Sequence, residues 1–317
     1  MTVTVRGERR RLERPQSGKG SAGPKTRRSR GDGRIAAGFL APSIGGFAIF
    51  TLIPIGASLV VAFTIWPLTG VPTFAGFANF IKLLTDDKKF LQSLGNTFVF
   101  VAAYVPLNLT LSLALATWIS PRIRGRNAYR VLLFIPVVTP MVANAAVWQI
   151  MLVPGGLVDG IWQSVFGVHA PNFLGSESFA MASVVLMSLW QGLGYNLLVF
   201  ASALEAVPEN LLEAASLDGA GTASQFFRIK LPLISPAIFF GATMTLITSF
   251  QVFAQPFVLT AGGPGNSTTT LVMYLYTSGF QFHKLGYASA IGVLLFLIIL
   301  LVSGIVFAVQ KKMVHYE

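Results

Sequence analysis

A chain of 317 residues in which 53% are hydrophobic and only 11% charged does not have the composition of a soluble globular domain, where about a quarter of the residues are charged. Lipid is the solvent such a sequence suits. It has no cysteine, so disulfides and thiolate metal sites are excluded; its three histidines, His169, His283 and His315, are far apart in sequence, so a histidine-based metal site is not expected.

The net charge of +11 is concentrated at one end, because eleven of the 23 Lys and Arg residues lie between Arg6 and Arg34. Residues 1–34 hold too few large apolar side chains to fold alone, and read as a disordered, basic cytosolic tail touching anionic headgroups. No aromatic residue interleaves the arginines for base stacking, so nucleic acid is not an expected partner. The apolar run that follows is much longer than the roughly 7–15 residues of a signal-peptide core, which argues against a cleaved leader.

Six apolar runs come next, at 35–67, 97–119, 131–153, 179–204, 233–255 and 286–310, and none contains Asp, Glu, Lys, Arg or His. They predict an all-α, polytopic membrane protein with six transmembrane helices. As one helix the first run would reach about 50 Å at ~1.5 Å per residue, more than the ~30 Å hydrocarbon core. It must tilt, kink at Pro42 or Pro54, or leave the membrane. The organisation expected is a first helix with its external loop (35–96), a five-helix core (97–310) carrying a loop at 205–232, and a short tail (311–317).

Basic residues orient these spans. With the N-terminus inside, inner segments hold 19 Lys and Arg against 4 outside; without the first 34 residues the split is 8 to 4. Both termini are therefore expected in the cytosol. Outside, Gly262, Gly263, Pro264 and Gly265 mark a tight turn. Tyr274, Tyr276 and Phe280 follow it, either as an interfacial belt or as a docking surface.

Loop 205–232 is long for a helix–helix connection, which usually takes about 2–8 residues. Pro208 and Glu209 suit the start of a helix. Gly219 or Gly221 can end it in the left-handed conformation, and Thr222 with Gln225 has the spacing of a capping box for a second short helix. Pro232 is expected to disfavour helical geometry at Leu231 and to start the next span. Glu205, Glu209, Glu213 and Asp218 make the first helix acidic. Anionic headgroups would repel that face, which favours a protein partner over a membrane-surface role.

The pattern Glu213-Ala214-Ala215-x-x-Asp218-Gly219-Ala220, then Ile229-x-Leu231-Pro232, resembles the signature loop of permease subunits of binding-protein-dependent ABC importers. Leu259-Thr260-x-Gly262-Gly263-Pro264, Thr269-Thr270, Tyr274, Tyr276 and 286–290 resemble the carbohydrate-type subfamily, as do Asn96-Thr97, 124–126 and Pro136. Within it the chain is most similar to the maltose- and glycerol-phosphate-type first permease. The resemblance covers about residues 35–310. It implies an ABC importer transmembrane domain whose cytosolic coupling helices sit in a cleft of an ATPase. Glu213 would pair with a basic residue of that ATPase, and Gly219 would set the turn. The implied partners are a second permease, two ATPase subunits and an extracytoplasmic solute-binding protein, in a bacterial inner membrane. The sequence contains no G-x-x-x-x-G-K-[ST] loop, so ATP and Mg are expected on the separate ATPase, with no cofactor on this chain and no catalytic role.

Polar side chains inside spans are costly and often functional. By register with the signature loop, Ser188, Gln191, Gly192, Tyr195, Ser249 and Gln251 match cavity positions of maltose-type permeases. Trp190, Asn196, Thr248, Gln255, Asn144, Trp148 and Gln149 share those spans. Any one of them could instead serve helix packing. Neutral amides, hydroxyls and aromatic faces suit a sugar or related polyhydroxylated solute. The alternative is a stand-alone secondary carrier or channel for a small neutral solute, which the missing intramembrane acids disfavour for proton coupling.

Overall fold

The computed structural model describes residues 30–67, 70–119 and 124–313; the basic tail and the last four residues lie outside them. The chain divides into two compact units, Met1–Pro54 and Ile55–Glu317. In the first, α1 (Arg30–Phe47) passes through Pro42 and continues into a π-helical turn at Ala48–Leu52. The N–H of Ile53 reaches back five residues to Ala48. Pro54 follows immediately, and since a proline has no N–H and its ring crowds the carbonyl four residues back, the wider turn lets the helix pass it.

In the second unit α2 (Ile53–Ala62) ends where β1 (Thr64–Ile65) begins, and β1 pairs antiparallel with β2 (Thr73–Phe74). Asn79, on α3 (Ala78–Thr85), donates to the carbonyls of Ala62 and Thr64, both at 2.9 Å. The first bond satisfies a carbonyl that the helix end leaves open, and the second one in β1. The long first run therefore leaves the helix at Ala62.

Three long helices dominate: α4 (Lys88–Trp118), α8 (Glu177–Glu205) and α15 (Leu285–Met313). Asp87 caps α4 by accepting the N–H of Phe90 at 2.9 Å. Between α4 and α8 come α5 (Arg126–Val138), α6 (Met141–Leu152) and α7 (Leu157–Phe166). After α8 come α9 (Glu209–Leu217), α10 (Thr222–Gln225), a π-turn at Phe226–Lys230, α11 (Leu231–Leu233), α12 (Ser235–Phe250), α13 (Ala254–Thr260), α14 (Leu271–Tyr276) and a third π-turn at Thr277–Gln281.

Among the described residues, five helical stretches are long and apolar enough to cross a membrane, and a sixth forms if the bent pair Thr222–Leu233 and Ser235–Phe250 is one span. Two of the expected spans are cut differently from their apolar runs. Run 131–153 is broken at Thr139, whose extended backbone (φ −72°, ψ 137°) is what a following proline favours. The fifth run stops being helical at Gln251 and resumes as the short α13. Pro232 also acts otherwise than expected, since Leu231 stays helical at φ −60°, ψ −45°. The preceding π-turn absorbs the misfit, and the 66° bend falls at Ile234, just before Ser235 and Pro236.

The main core packs Phe90, Phe100, Val184, Met187, Phe250, Leu259, Leu271 and Ile291, with a smaller cluster of Ala116, Phe200 and Ala201 beside α8. Glycines on α8 bring the helices close. A Cβ at Gly194 would overlap the Leu133 carbonyl of α5, and one at Gly192 the Tyr104 hydroxyl of α4. Small residues at such crossings replace the hydrophobic drive that lipid removes.

Candidate functional site

Loop 205–232 folds as a helix, a turn and a second helix. Pro208 is the N-cap of α9, with φ −61° and ψ 126°. Gly219 takes the left-handed conformation at φ +81°, whereas Gly221 does not and instead caps α10. The N–H of Ala220 donates to Ala215 O at 2.9 Å and that of Gly219 to Ser216 O at 3.1 Å. This is a Schellman closure, which satisfies two of the carbonyls at the end of α9.

The expected capping box is absent, because Gly221 is the N-cap and makes no side-chain bond. The Gln225 amide instead reaches back across the turn to Ser216 Oγ at 2.9 Å and Ala220 O at 3.0 Å. It ties the second helix to the first rather than capping its own.

Glu213, Ala214, Asp218 and Gly219 are exposed along α9 and its turn, Ala215 is half-buried, and Leu217 is 90% exposed. Glu213 and Asp218 have no ion pair among the described residues. Glu205 departs from the expected acidic helix: it closes α8 and accepts from Arg130 at 2.7 Å and Arg126 at 3.1 Å. The free acidic face is thus Glu209, Glu213 and Asp218. Ile229 and Leu231 are half-buried and Pro232 exposed, at the junction with the bent span.

The six pathway candidates separate into two groups. Ser188, Gln191 and Ser249 are buried, at 3%, 5% and 2% exposure, while Tyr195 and Gln251 are exposed on the single chain. The Ser188 and Ser249 hydroxyls donate to carbonyls of their own helices, Val184 and Leu246. Gln191 donates to Thr139 O at 3.2 Å, satisfying a carbonyl released by the break before Pro140. Gly192 is a packing position beneath Tyr104. Gln149 reaches Leu259 O at 3.4 Å, and Trp148 lies 5.8 Å from Trp190 between ring centroids.

A buried polar knot joins three helices at one point. Asn196 on α8 donates to Asn108 Oδ1 on α4 at 2.6 Å and to Thr245 Oγ1 on α12 at 2.7 Å. Asn108 was not among the sequence candidates, although an intramembrane amide in run 97–119 was itself a signal.

At another end of the unit, Asp87 accepts from the hydroxyls of Tyr274 (2.5 Å) and Tyr287. Burial raises its pKa, but the two hydroxyls and the N–H groups of Phe90 and Lys89 outweigh that and hold the carboxyl below its ordinary value. Tyr274 is 8% exposed and serves neither as a belt nor as a docking residue, whereas Phe280, 66% exposed, remains on the surface. A cleft of about 530 Å³ beside Asp87, lined in part by Trp66, Lys82, Asp86 and Lys284, shares no residue with the pathway candidates. The Gly262–Gly265 turn is pinned by Asn96, which donates to Asn266 O at 2.7 Å and Thr269 O at 3.0 Å.

Residues 108–315 match the family model for the binding-protein-dependent transport system inner membrane component. The chain belongs to that family. This membrane-embedded permease is 35% identical, over 92% of its own length and 96% of the relative's, to the probable ABC transporter permease protein YesP of Bacillus subtilis (strain 168). It is 35% identical to the sn-glycerol-3-phosphate transport system permease protein UgpA of Yersinia pestis bv. Antiqua (strain Antiqua), covering 87% of the chain and 94% of the relative. It is 31% identical to the arabinooligosaccharides transport system permease protein AraP of Bacillus subtilis, covering 84% and 85%. The fold superposes with a TM-score of 0.77 on a chain of a bacterial alginate ABC transporter solved with an alginate pentasaccharide-bound periplasmic protein, at 20% identity, covering 89% of this chain and 96% of that one. The permease is a membrane-spanning subunit of a binding-protein-dependent importer, and a transport component rather than an enzyme. Family membership sets aside the stand-alone carrier.

Proposed function

We propose that this permease imports a sugar or a related polyhydroxylated solute across a bacterial inner membrane, with both termini in the cytosol. It forms half of the pathway, and a second permease forms the other half. Two separate ATPase subunits bind ATP and Mg, and a solute-binding protein delivers the solute from outside. The observation that carries the reading is α9 and its Schellman turn, which present Glu213, Asp218 and an exposed Leu217 on a rigid helix pair next to the bent span. Leu217 supplies an apolar knob for a partner's cleft, and Glu209 with Glu213, one helical turn apart, supplies the charge for basic residues around it. Closure of two ATPases would move α9, and the π-turn and bend would pass that movement to α12.

Relatives named for arabinooligosaccharides and for sn-glycerol-3-phosphate bracket the solute. The six apolar runs carry no basic residue to hold a phosphate, which favours the neutral solute. Trp190, Tyr195 and Gln251, exposed on the single chain, supply ring faces and an amide suited to such a solute. The test is uptake by cells lacking the gene and by cells complemented with it, using radiolabelled arabino-oligosaccharide and sn-glycerol 3-phosphate. Restored uptake of the neutral sugar supports the reading. Restored uptake of the phosphate ester alone overturns the solute class.

A further inference from the structure

The start of α5 carries more positive charge than the described residues neutralise. Arg126 and Arg130 lie one helical turn apart on α5, and each donates to the same carboxylate oxygen, Glu205 Oε1. A guanidinium offers five N–H donors, so most of those on this pair have no partner among the described residues, and the Arg130 Nε is buried without one there. Arg124, in the turn just before α5, is exposed and has no ion pair among the described residues. Among the described residues, these three arginines have one acid, Glu205, as ion-pair partner, and it is shared by two of them.

The surroundings place this charge at the edge of a bilayer. Trp118 closes α4 and Tyr129 sits in the first turns of α5; their rings meet edge to face at 5.6 Å, and they are 56% and 41% exposed. An exposed Trp–Tyr pair is the side-chain chemistry found at headgroup depth. Farther along α5, Val131, Leu132, Ile135 and Val138 are exposed apolar residues, which are at home against acyl chains. One molecule satisfies all three features: a phosphodiester for the arginine forks, a glycerol region beside the aromatic pair, and acyl chains along α5.

We propose that this corner is a binding site for an anionic phospholipid, held by Arg124, Arg126 and Arg130 with Trp118 and Tyr129 at its side. The site rests on the reading that this end faces the cytosolic leaflet. It gives Glu205 a further role, because by gathering two arginines at the base of loop 205–232 this acid joins the lipid contact to the root of the helix pair. Arg124→Gln removes an exposed, unpaired charge and should leave the fold intact.

The test is native mass spectrometry of the full chain, with the importer subunits that co-purify, from nanodiscs of equal phosphatidylglycerol and phosphatidylcholine. The wild type should retain phosphatidylglycerol preferentially. Arg124→Gln should lower that preference about fivefold and Arg124→Gln with Arg126→Gln further, the scale set by one surface charge against an anionic lipid. Arg124→Lys should keep most of it, and Lys284→Gln all of it. Equal retention by the wild type and the double variant, with both monodisperse, overturns the proposal. Displacement of the lipid by millimolar inorganic phosphate overturns it as well, since the corner would then be a free-anion site. The orientation is checked separately, because the chain has no cysteine. A single Asn127→Cys that labels only from the outside in intact cells would overturn the orientation and leave the lipid measurement standing.

Discussion

The amide of Gln225 crosses the Gly219 turn to the hydroxyl of Ser216, 2.9 Å away, and so holds the two helices of loop 205–232 as one body. The proposed coupling role requires a helix pair that does not bend, and this contact with the Schellman bonds ties the pair together. Gln225→Ala should raise amide exchange across residues 209–225 by an amount equal to about 1 kcal/mol of local opening. Hydrogen exchange measures it, and unchanged protection would show that the turn is stiff without the glutamine.

Gly219→Ala probes backbone strain in isolation, because at φ +81° a new methyl would meet no atom within 4 Å. The left-handed conformation costs a non-glycine residue about 1–2 kcal/mol. Coupled ATP hydrolysis should fall while the melting temperature of the membrane bundle stays the same. A drop in melting temperature with normal coupling would mean that the turn serves folding instead.

Much of this architecture was legible in the sequence because lipid imposes it. The six apolar runs report bilayer thickness whatever the helices pack against, and the glycines at 219 and 221 report a left-handed turn, which falls at 219. Partners distant in sequence were not legible. Tyr274 reads from sequence as an interfacial or docking aromatic, whereas its hydrogen-bond partner is Asp87, 187 positions earlier. Glu205 looked like part of an acidic helix until Arg126 and Arg130 claimed it. The break at Pro140 was masked by uniform hydropathy on both sides, although the proline itself was a local cue. The pathway candidates rest on span polarity and on register with the signature loop, neither of which separates Tyr195 and Gln251, open on the single chain, from Ser188 and Ser249, bonded within their helices.

Gly192 predicts a rescue. Gly192→Ala drives a methyl into the Tyr104 hydroxyl, and overpacking of this kind costs about 1–3 kcal/mol. Adding Tyr104→Phe removes the clashing oxygen and should restore most of the thermal stability in detergent. Failure of the second change to restore it would place the strain elsewhere on α8.

The knot of Asn108, Asn196 and Thr245 predicts coupling between helices. A double-mutant cycle of Asn196→Leu and Thr245→Val should give an interaction of about 0.6–1.7 kcal/mol, the range for hydrogen bonds between membrane helices. A value near zero would mean that the 2.7 Å bond contributes nothing net.

Asp87 predicts acid sensitivity at the start of α4. Its folded pKa lies below the ordinary 3.8, so its contribution to stability is complete above that value and is lost as pH falls through the folded pKa. Between neutral pH and about 4 the wild type should therefore hold its melting temperature with respect to this group, then lose stability more steeply than Asp87→Asn below it. Parallel acid profiles for the two proteins would contradict the role given to the carboxylate.

The coupling role of α9 is tested most directly by purifying the tagged permease in mild detergent and measuring which subunits accompany it and whether they hydrolyse ATP. The wild type should bring a second permease and an active ATPase. Glu213→Ala combined with Gly219→Pro should keep the second permease and lose the ATPase. A variant that retains a fully active ATPase would show that the helix pair around Gly219 is not where the permease is gripped.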